Sequence, residues 1–83
     1  MNSSITFAQF DAAMRELGFR IEAITGSHVN YWHDGWDKPY MTKPHKPKDS
    51  VPNYLLEGTR IQLQHLGLAT GDQFDEMLQS TAA

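Results

Sequence analysis

The chain contains no cysteine in its 83 residues. That excludes disulfide cross-links, thiolate metal sites and a cysteine nucleophile together. No apolar run approaches the ~20 residues that a membrane-spanning helix needs. The opening Met1-Asn2-Ser3-Ser4 lacks the basic and then apolar regions of a signal peptide, so the cytoplasm is the expected compartment. Basic residues are scarce, with seven Lys and Arg against ten Asp and Glu and a formal net charge of −3. That balance runs against nucleic-acid binding, which draws on phosphate neutralisation by a basic surface. The distribution softens the objection. Acidity gathers beyond residue 51, where Arg60 stands against Glu57, Asp72, Asp75 and Glu76, whereas Lys38, Lys43, Lys46 and Lys48 cluster near His45.

Hydrophobic residues make up 40% of the chain, enough for one core, and the length corresponds to a single domain over 1–83. Phe7, Phe10, Met14 and Leu17 recur at helical spacing behind a capping Thr6 or Ser4. This predicts a first helix over about 6–17, stopped by Gly18. Phe19 to Thr25 and His28 to His33 alternate as strands, with Gly26-Ser27 as the turn between them and Asp34-Gly35 as a hairpin signal after them. Tyr40 to Lys43 reads as a third strand, kept short or at an edge by Pro39 and Pro44. Pro44, Pro47 and Pro52 make the next segment an extended loop. Asn53 can cap a second helix, although Gly58 places its start nearer Thr59, and Gly67 ends it. Thr70 caps a short acidic helix over 71–78, with Phe74, Met77 and Leu78 on one face.

The expected fold is therefore α+β. It is a two-layer α-β-β-β-α arrangement with a three-stranded antiparallel sheet, plus a short C-terminal helix. Its core spans about 5–68, and 69–83 is an extension. With Val29 and Tyr31 under the helices, period-two alternation leaves His28, Asn30 and Trp32 on the open face of the sheet or at its edge.

His28 is the best-placed reactive side chain, delivered by the small turn Gly26-Ser27 to the start of a strand. It is either a general acid or base, suited to taking a 2′-hydroxyl proton near neutral pH, or a strand-end histidine that only bonds the turn. His45 and Ser27 are the candidates for a second proton-transfer group. Lys43, Lys46 and Lys48 are either phosphate contacts or a solvated loop. Trp32 could stack on an unpaired base, anchor a protein partner, or pack in the core; for Trp36, burial is the expectation. His33 reads as exposed, and His65 as a favourable charge near a helix C-terminus. His28, His33, His45 and His65 match no common ligand spacing, so no metal and no cofactor is expected. No Ser-His-Asp arrangement or phosphate-cradling glycine loop is present.

Five ordered pieces carry a resemblance to a known family: Leu17-Gly18-Phe19, Gly26-Ser27-His28, Val51-Pro52, Gly58-Thr59-Arg60-Ile61 and Leu66-Gly67-Leu68. Over about residues 5–68 the chain resembles the HicA toxins of type II toxin–antitoxin systems. The resemblance implies a fold similar to a double-stranded RNA-binding domain. It also implies metal-independent endoribonuclease activity on mRNA, His28 as the catalytic residue, and a HicB-type antitoxin as partner. The alternative is a non-catalytic module that binds RNA or protein on the same fold. The acidic balance departs from the family, and the segment beyond Leu68 lies outside the resemblance.

Overall fold

The computed structural model describes residues 5–24 and 28–80. The elements run α1 (Phe7–Glu16), β1 (Arg20–Ile24), β2 (His28–Trp32), β3 (Tyr40–Thr42), α2 (Asn53–His65) and α3 (Gly71–Ser80). The chain is α+β, as its periodicities predict. Among the described residues no helix is long and apolar enough to cross a membrane. Gly26 and Ser27 of the expected turn lie outside the described residues.

The start of α1 shows how local sequence meets tertiary need. Thr6 and Gln9 form a reciprocal capping box, with Gln9 N donating to Thr6 Oγ1 and Thr6 N to Gln9 Oε1. The next orphan amides are met from far along the chain. Phe7 N donates to the Asp49 carbonyl at 2.9 Å and Ala8 N to the Pro47 carbonyl at 3.0 Å. The proline-rich loop is thus strapped across the helix start. The helix ends at Gly18, whose φ of +97° only glycine adopts cheaply. Phe19 N reaches the Met14 carbonyl and Gly18 N the Arg15 carbonyl, which is the Schellman pattern. The same pattern ends α2, where Leu68 N reaches Leu63 O and Gly67 N reaches Gln64 O, with Gly67 at φ +73°.

The strands pair in the order β1-β2-β3, antiparallel throughout. Arg20 faces Trp32 and Ile24 faces His28 in the first ladder; Val29 faces Thr42 and Tyr31 faces Tyr40 in the second. Tyr31 meets Phe10 of α1 edge-to-face at 5.6 Å, and the Tyr40 hydroxyl stands 2.9 Å from Thr59 Oγ1 of α2, whose own proton goes to the Leu55 carbonyl at 2.7 Å. As register partners Tyr31 and Tyr40 share a face, so α1 and α2 lie on one side of the sheet.

Two expectations change. Helix α2 does not wait for Thr59 but begins at Asn53 and runs through Gly58. Packing overrides the cost of a helical glycine, about 1 kcal/mol, because Leu55, Thr59 and Leu63 are all buried along this helix. Of the segment expected as an extension over 69–83 to a core of 5–68, the described residues 69–80 contribute to the core itself. Phe74 is fully buried and packs edge-to-face on Phe10 at 6.3 Å, Leu78 is buried, and Gln9 Nε2 donates to the Leu78 carbonyl.

Phe74→Ala is expected to cost about 3–5 kcal/mol, a large part of the stability of so small a domain. Urea unfolding followed by circular dichroism checks this; a loss below about 1 kcal/mol would show α3 to be dispensable. Gly67→Ala should cost about 1–2 kcal/mol through backbone strain alone. Gly18→Ala should cost more by the same assay, because its new Cβ would sit 3.3 Å from His33 Nε2 as well.

Candidate active site

Three element ends meet where β2 begins, β3 ends and α2 begins. His28, the first residue of β2, is exposed. Thr42, the last residue of β3, faces Val29. Beyond that pair the strand ends: Lys43 borders the same groove as His28, and Pro44 after it has no amide to donate. The first turn of α2 adds Tyr54 and Leu55. Together His28, Thr42, Lys43, Tyr54 and Leu55 line a groove of about 280 Å³. An adjoining groove of about 310 Å³ shares Thr42, Lys43, Tyr54 and Leu55 and carries His45 on its wall.

Of the residues that the sequence singles out, the structure thus brings together His28 and Lys43. Lys46 and Lys48 are exposed on the loop and line neither groove; the Lys46 amide donates to Asp49 Oδ2 at 3.0 Å, closing a turn. Trp32 lies at the far end of β2, about 13 Å from His28 at strand rise. It is half-buried, and its Nε1 is enclosed without a partner. Trp36 is partly buried as expected, edge-on to Phe19 at 5.2 Å.

Tyr54 is the residue that sequence reasoning passed over. It stands 74% exposed, the most exposed of the large apolar side chains among the described residues. An aromatic at the second position of a helix, set behind Pro52 and Asn53, was the available signal. Asn30 departs from the open-face expectation. Flanked in the middle strand by Glu22 and Met41, it is only 5% exposed, and its Oδ1 has no partner.

His33 and His45 have structural partners. His33, expected to be exposed, is half-buried beside Phe19. Its Nδ1 accepts from the Gly35 amide at 3.0 Å, which leaves Nε2–H to donate to the Leu17 carbonyl at 3.1 Å. His45 is more deeply held, its side chain only 8% exposed. Its ring lies flat on Phe7 at 3.8 Å between centroids, with 10° between the planes. Nε2 stands 3.3 Å from Asp11 Oδ2, and Nδ1 stands 3.3 Å from the Lys43 carbonyl. Both neighbours are acceptors, so only the imidazolium can donate to both at once. Both ring nitrogens of His45 thus lie within hydrogen-bonding distance of protein acceptors.

Asp11 Oδ1 in turn accepts from the Tyr31 hydroxyl at 2.5 Å. Burial raises the pKa of that phenol, and the hydrogen bond to Asp11 and the negative charge of Asp11 raise it further; Arg15 works in the opposite direction. A buried Tyr31–Asp11–His45 chain therefore runs from the centre of the sheet to the edge of the groove.

Another groove, of about 830 Å³, lies along α3 beside Leu68 and Met77. It carries Asp75 and Glu76 and no cation, which suits no phosphate. Comparison with protein-family models, with curated proteins and with solved structures gives no match to this chain.

Tyr31 makes stability sensitive to alkali. Its folded pKa lies above the unfolded value of 10.0. The linked stability is therefore fully present below about pH 10 and falls above it, by up to about 1.4 kcal/mol per pH unit as only the unfolded phenol ionises. Urea midpoints measured from about pH 8 to about pH 11 should fall less steeply for Tyr31→Phe than for wild type. Equal slopes would show that Tyr31 ionises as readily in the folded chain.

Proposed function

We propose that this chain is an endoribonuclease of the HicA toxin type, on a fold akin to a double-stranded RNA-binding domain. It would act on mRNA in the cytoplasm and be held in check by a HicB-type antitoxin. One observation carries the reading: an exposed histidine, a lysine and an exposed aromatic share one groove, at His28, Lys43 and Tyr54. A catalytic imidazole needs access to substrate, a phosphodiester needs a cation, and an unpaired base needs a flat surface.

The chemistry assigns each its part. The 2′-hydroxyl of the bound nucleotide attacks the adjacent phosphorus, and His28 takes its proton as the new O–P bond forms. Charge growing on the non-bridging oxygens is met by the Lys43 ammonium. The bond from phosphorus to the 5′-oxygen breaks, and the leaving oxygen takes a proton from water. The products are a 2′,3′-cyclic phosphate and a free 5′-hydroxyl. The nucleophile belongs to the substrate, so this route asks for no metal. Tyr54 stacks on a neighbouring base and holds the phosphate between His28 and Lys43. The positive end of the α2 dipole, beside Tyr54, adds to the local preference for an anion.

The test is cleavage of a labelled mRNA in EDTA by wild type and by His28→Ala. Wild type should cut and leave cyclic phosphate ends, with the variant slower by about 10²–10⁴-fold and unchanged in its circular dichroism. Equal cutting by a folded His28→Ala would remove His28 from the site. RNA retention without cutting, weakening steeply with salt, would instead support a binding module.

A further inference from the structure

We propose that His45 is a positioning residue for Lys43, held in place by Asp11 and Tyr31 and acting on RNA only through that lysine. The inference rests on the proposed nuclease reading and adds to it the means by which the one groove lysine is aimed. Lys43 is the residue at which the chain leaves the sheet. On its N-terminal side Thr42 is fixed by the ladder to Val29. On its C-terminal side Pro44 supplies no amide, so hydrogen bonding of that backbone falls to other groups. The contact that replaces the ladder is His45 Nδ1 against the Lys43 carbonyl, 3.3 Å away.

His45 itself is not free to move. Phe7 lies flat against its ring, Asp11 Oδ2 stands at Nε2, and the other oxygen of Asp11 is taken up by the Tyr31 hydroxyl at the centre of β2. The Lys43 backbone is thus pinned from both ends by β2, once through the ladder and once through the Tyr31–Asp11–His45 chain. The exposed lysine side chain borders both adjoining grooves. Simple anchoring of the loop would not need this set of buried polar groups. The backbone bonds from Phe7 and Ala8 to Asp49 and Pro47 already tie the loop to α1, and apolar side chains would fill the same space at lower desolvation cost. What the polar chain adds is a hydrogen bond aimed at the carbonyl of the lysine beside His28.

The experiment is a double-mutant cycle in the binding of a fluorescent single-stranded RNA. It is done in a His28→Ala background so that the RNA stays intact, with Lys43→Ala, His45→Ala and the two combined. Loss of one phosphate contact lowers the slope of log affinity against log salt by about 0.7 for single-stranded nucleic acid. Lys43→Ala and His45→Ala should each lower the slope by about that amount and weaken binding about five- to tenfold. The combined variant should be no worse than Lys43→Ala alone by more than twofold. In the active background, His45→Ala should raise KM and lower kcat together, as Lys43→Ala does, because the Lys43 ammonium meets charge on the bound phosphate and more of it in the transition state. Slope losses that add, to about 1.4 in the combined variant, would make His45 an independent phosphate contact and overturn the proposal. So would an unchanged slope in a folded His45→Ala. Should His45→Ala fail to fold, Asp11→Asn, which keeps the ring and removes the charge that holds it, takes its place in the cycle with the same expectations. If wild type cuts RNA and the cycle is additive, this inference alone falls. If no variant binds RNA and wild type does not cut it, the nuclease reading falls and this inference falls with it.

Discussion

The hydrogen bond from Tyr31 to Asp11 is the joint on which this small fold turns. Tyr31 occupies the middle strand, and its ring is fully enclosed against Phe10. Burying a phenol demands a partner for its hydroxyl, since an unpaired polar group in a core costs more than the bond would contribute. Asp11 supplies the partner from α1 and thereby brings a carboxylate into a half-buried position, 18% exposed. That carboxylate needs a second donor, and His45 provides it from the loop. One buried hydroxyl thus ties the sheet, the first helix and the proline-rich segment into a single packed unit. The same inward setting of Tyr31 sets Val29 inward too, and with it the ladder step that ends in Thr42 and leaves Lys43 beside His28.

Where structure is decided by near neighbours, the sequence is legible. Thr6 with Gln9, Gly18 and Gly67 each act within five residues of themselves, and each marks a helix end where the pattern predicts it. The strands fall close to their expected bounds because alternation is a local property. What is missed is decided at long range. Gly58 reads as a break until Thr59 is seen between the Leu55 carbonyl and the Tyr40 hydroxyl. His45 reads as a loop residue among lysines; its burial depends on Phe7 and Asp11, more than thirty positions away. Asn30 sits in the middle strand between two others and is only 5% exposed, which alternation along a single strand does not encode. Of the site, His28 and Lys43 could be read from turn and charge, whereas Tyr54 could not be ranked until its exposure was known.

Four of the five pieces that carry the family resemblance turn out to have architectural work. Leu17-Gly18-Phe19 and Leu66-Gly67-Leu68 are Schellman helix ends. Val51 joins the chain to Ile5 through a 2.8 Å backbone bond, and Pro52, not the expected Asn53, holds the N-cap position of α2, with no side chain able to bond the helix start. In Gly58-Thr59-Arg60-Ile61, Thr59 holds α2 to β3, and Arg60 reaches Asp75 of α3 at 3.3 Å. Any chain that must turn at these places has reason to use such residues. They bear on fold, and their number adds little to the case for a reaction. Chemistry rests on the fifth piece alone, and within it on His28, so the argument for function has to come from what surrounds His28 in space.

Net charge is then the wrong scale on which to judge RNA binding. The acidic surplus sits largely on α3, where Asp75 is already paired with Arg60 and where Asp75 and Glu76 border a different groove. Surface charges more than about 8 Å apart are largely screened at physiological salt. The groove at His28 contains Lys43 and no carboxylate among its lining residues. The adjoining groove adds the Asp49 carboxylate, so the case for an anion rests on the placement of Lys43 beside His28 rather than on a basic field. A single lysine attracts phosphate weakly, however, and in such a groove the orientation of that lysine counts for more than it would on a broadly basic surface. In the proposed site, stacking on Tyr54 would supply a good share of the affinity, at about 1–3 kcal/mol per base, and the lysine would need to be aimed before the phosphate arrives. A buried polar chain ending at the Lys43 carbonyl is the kind of support that a site with one cation requires.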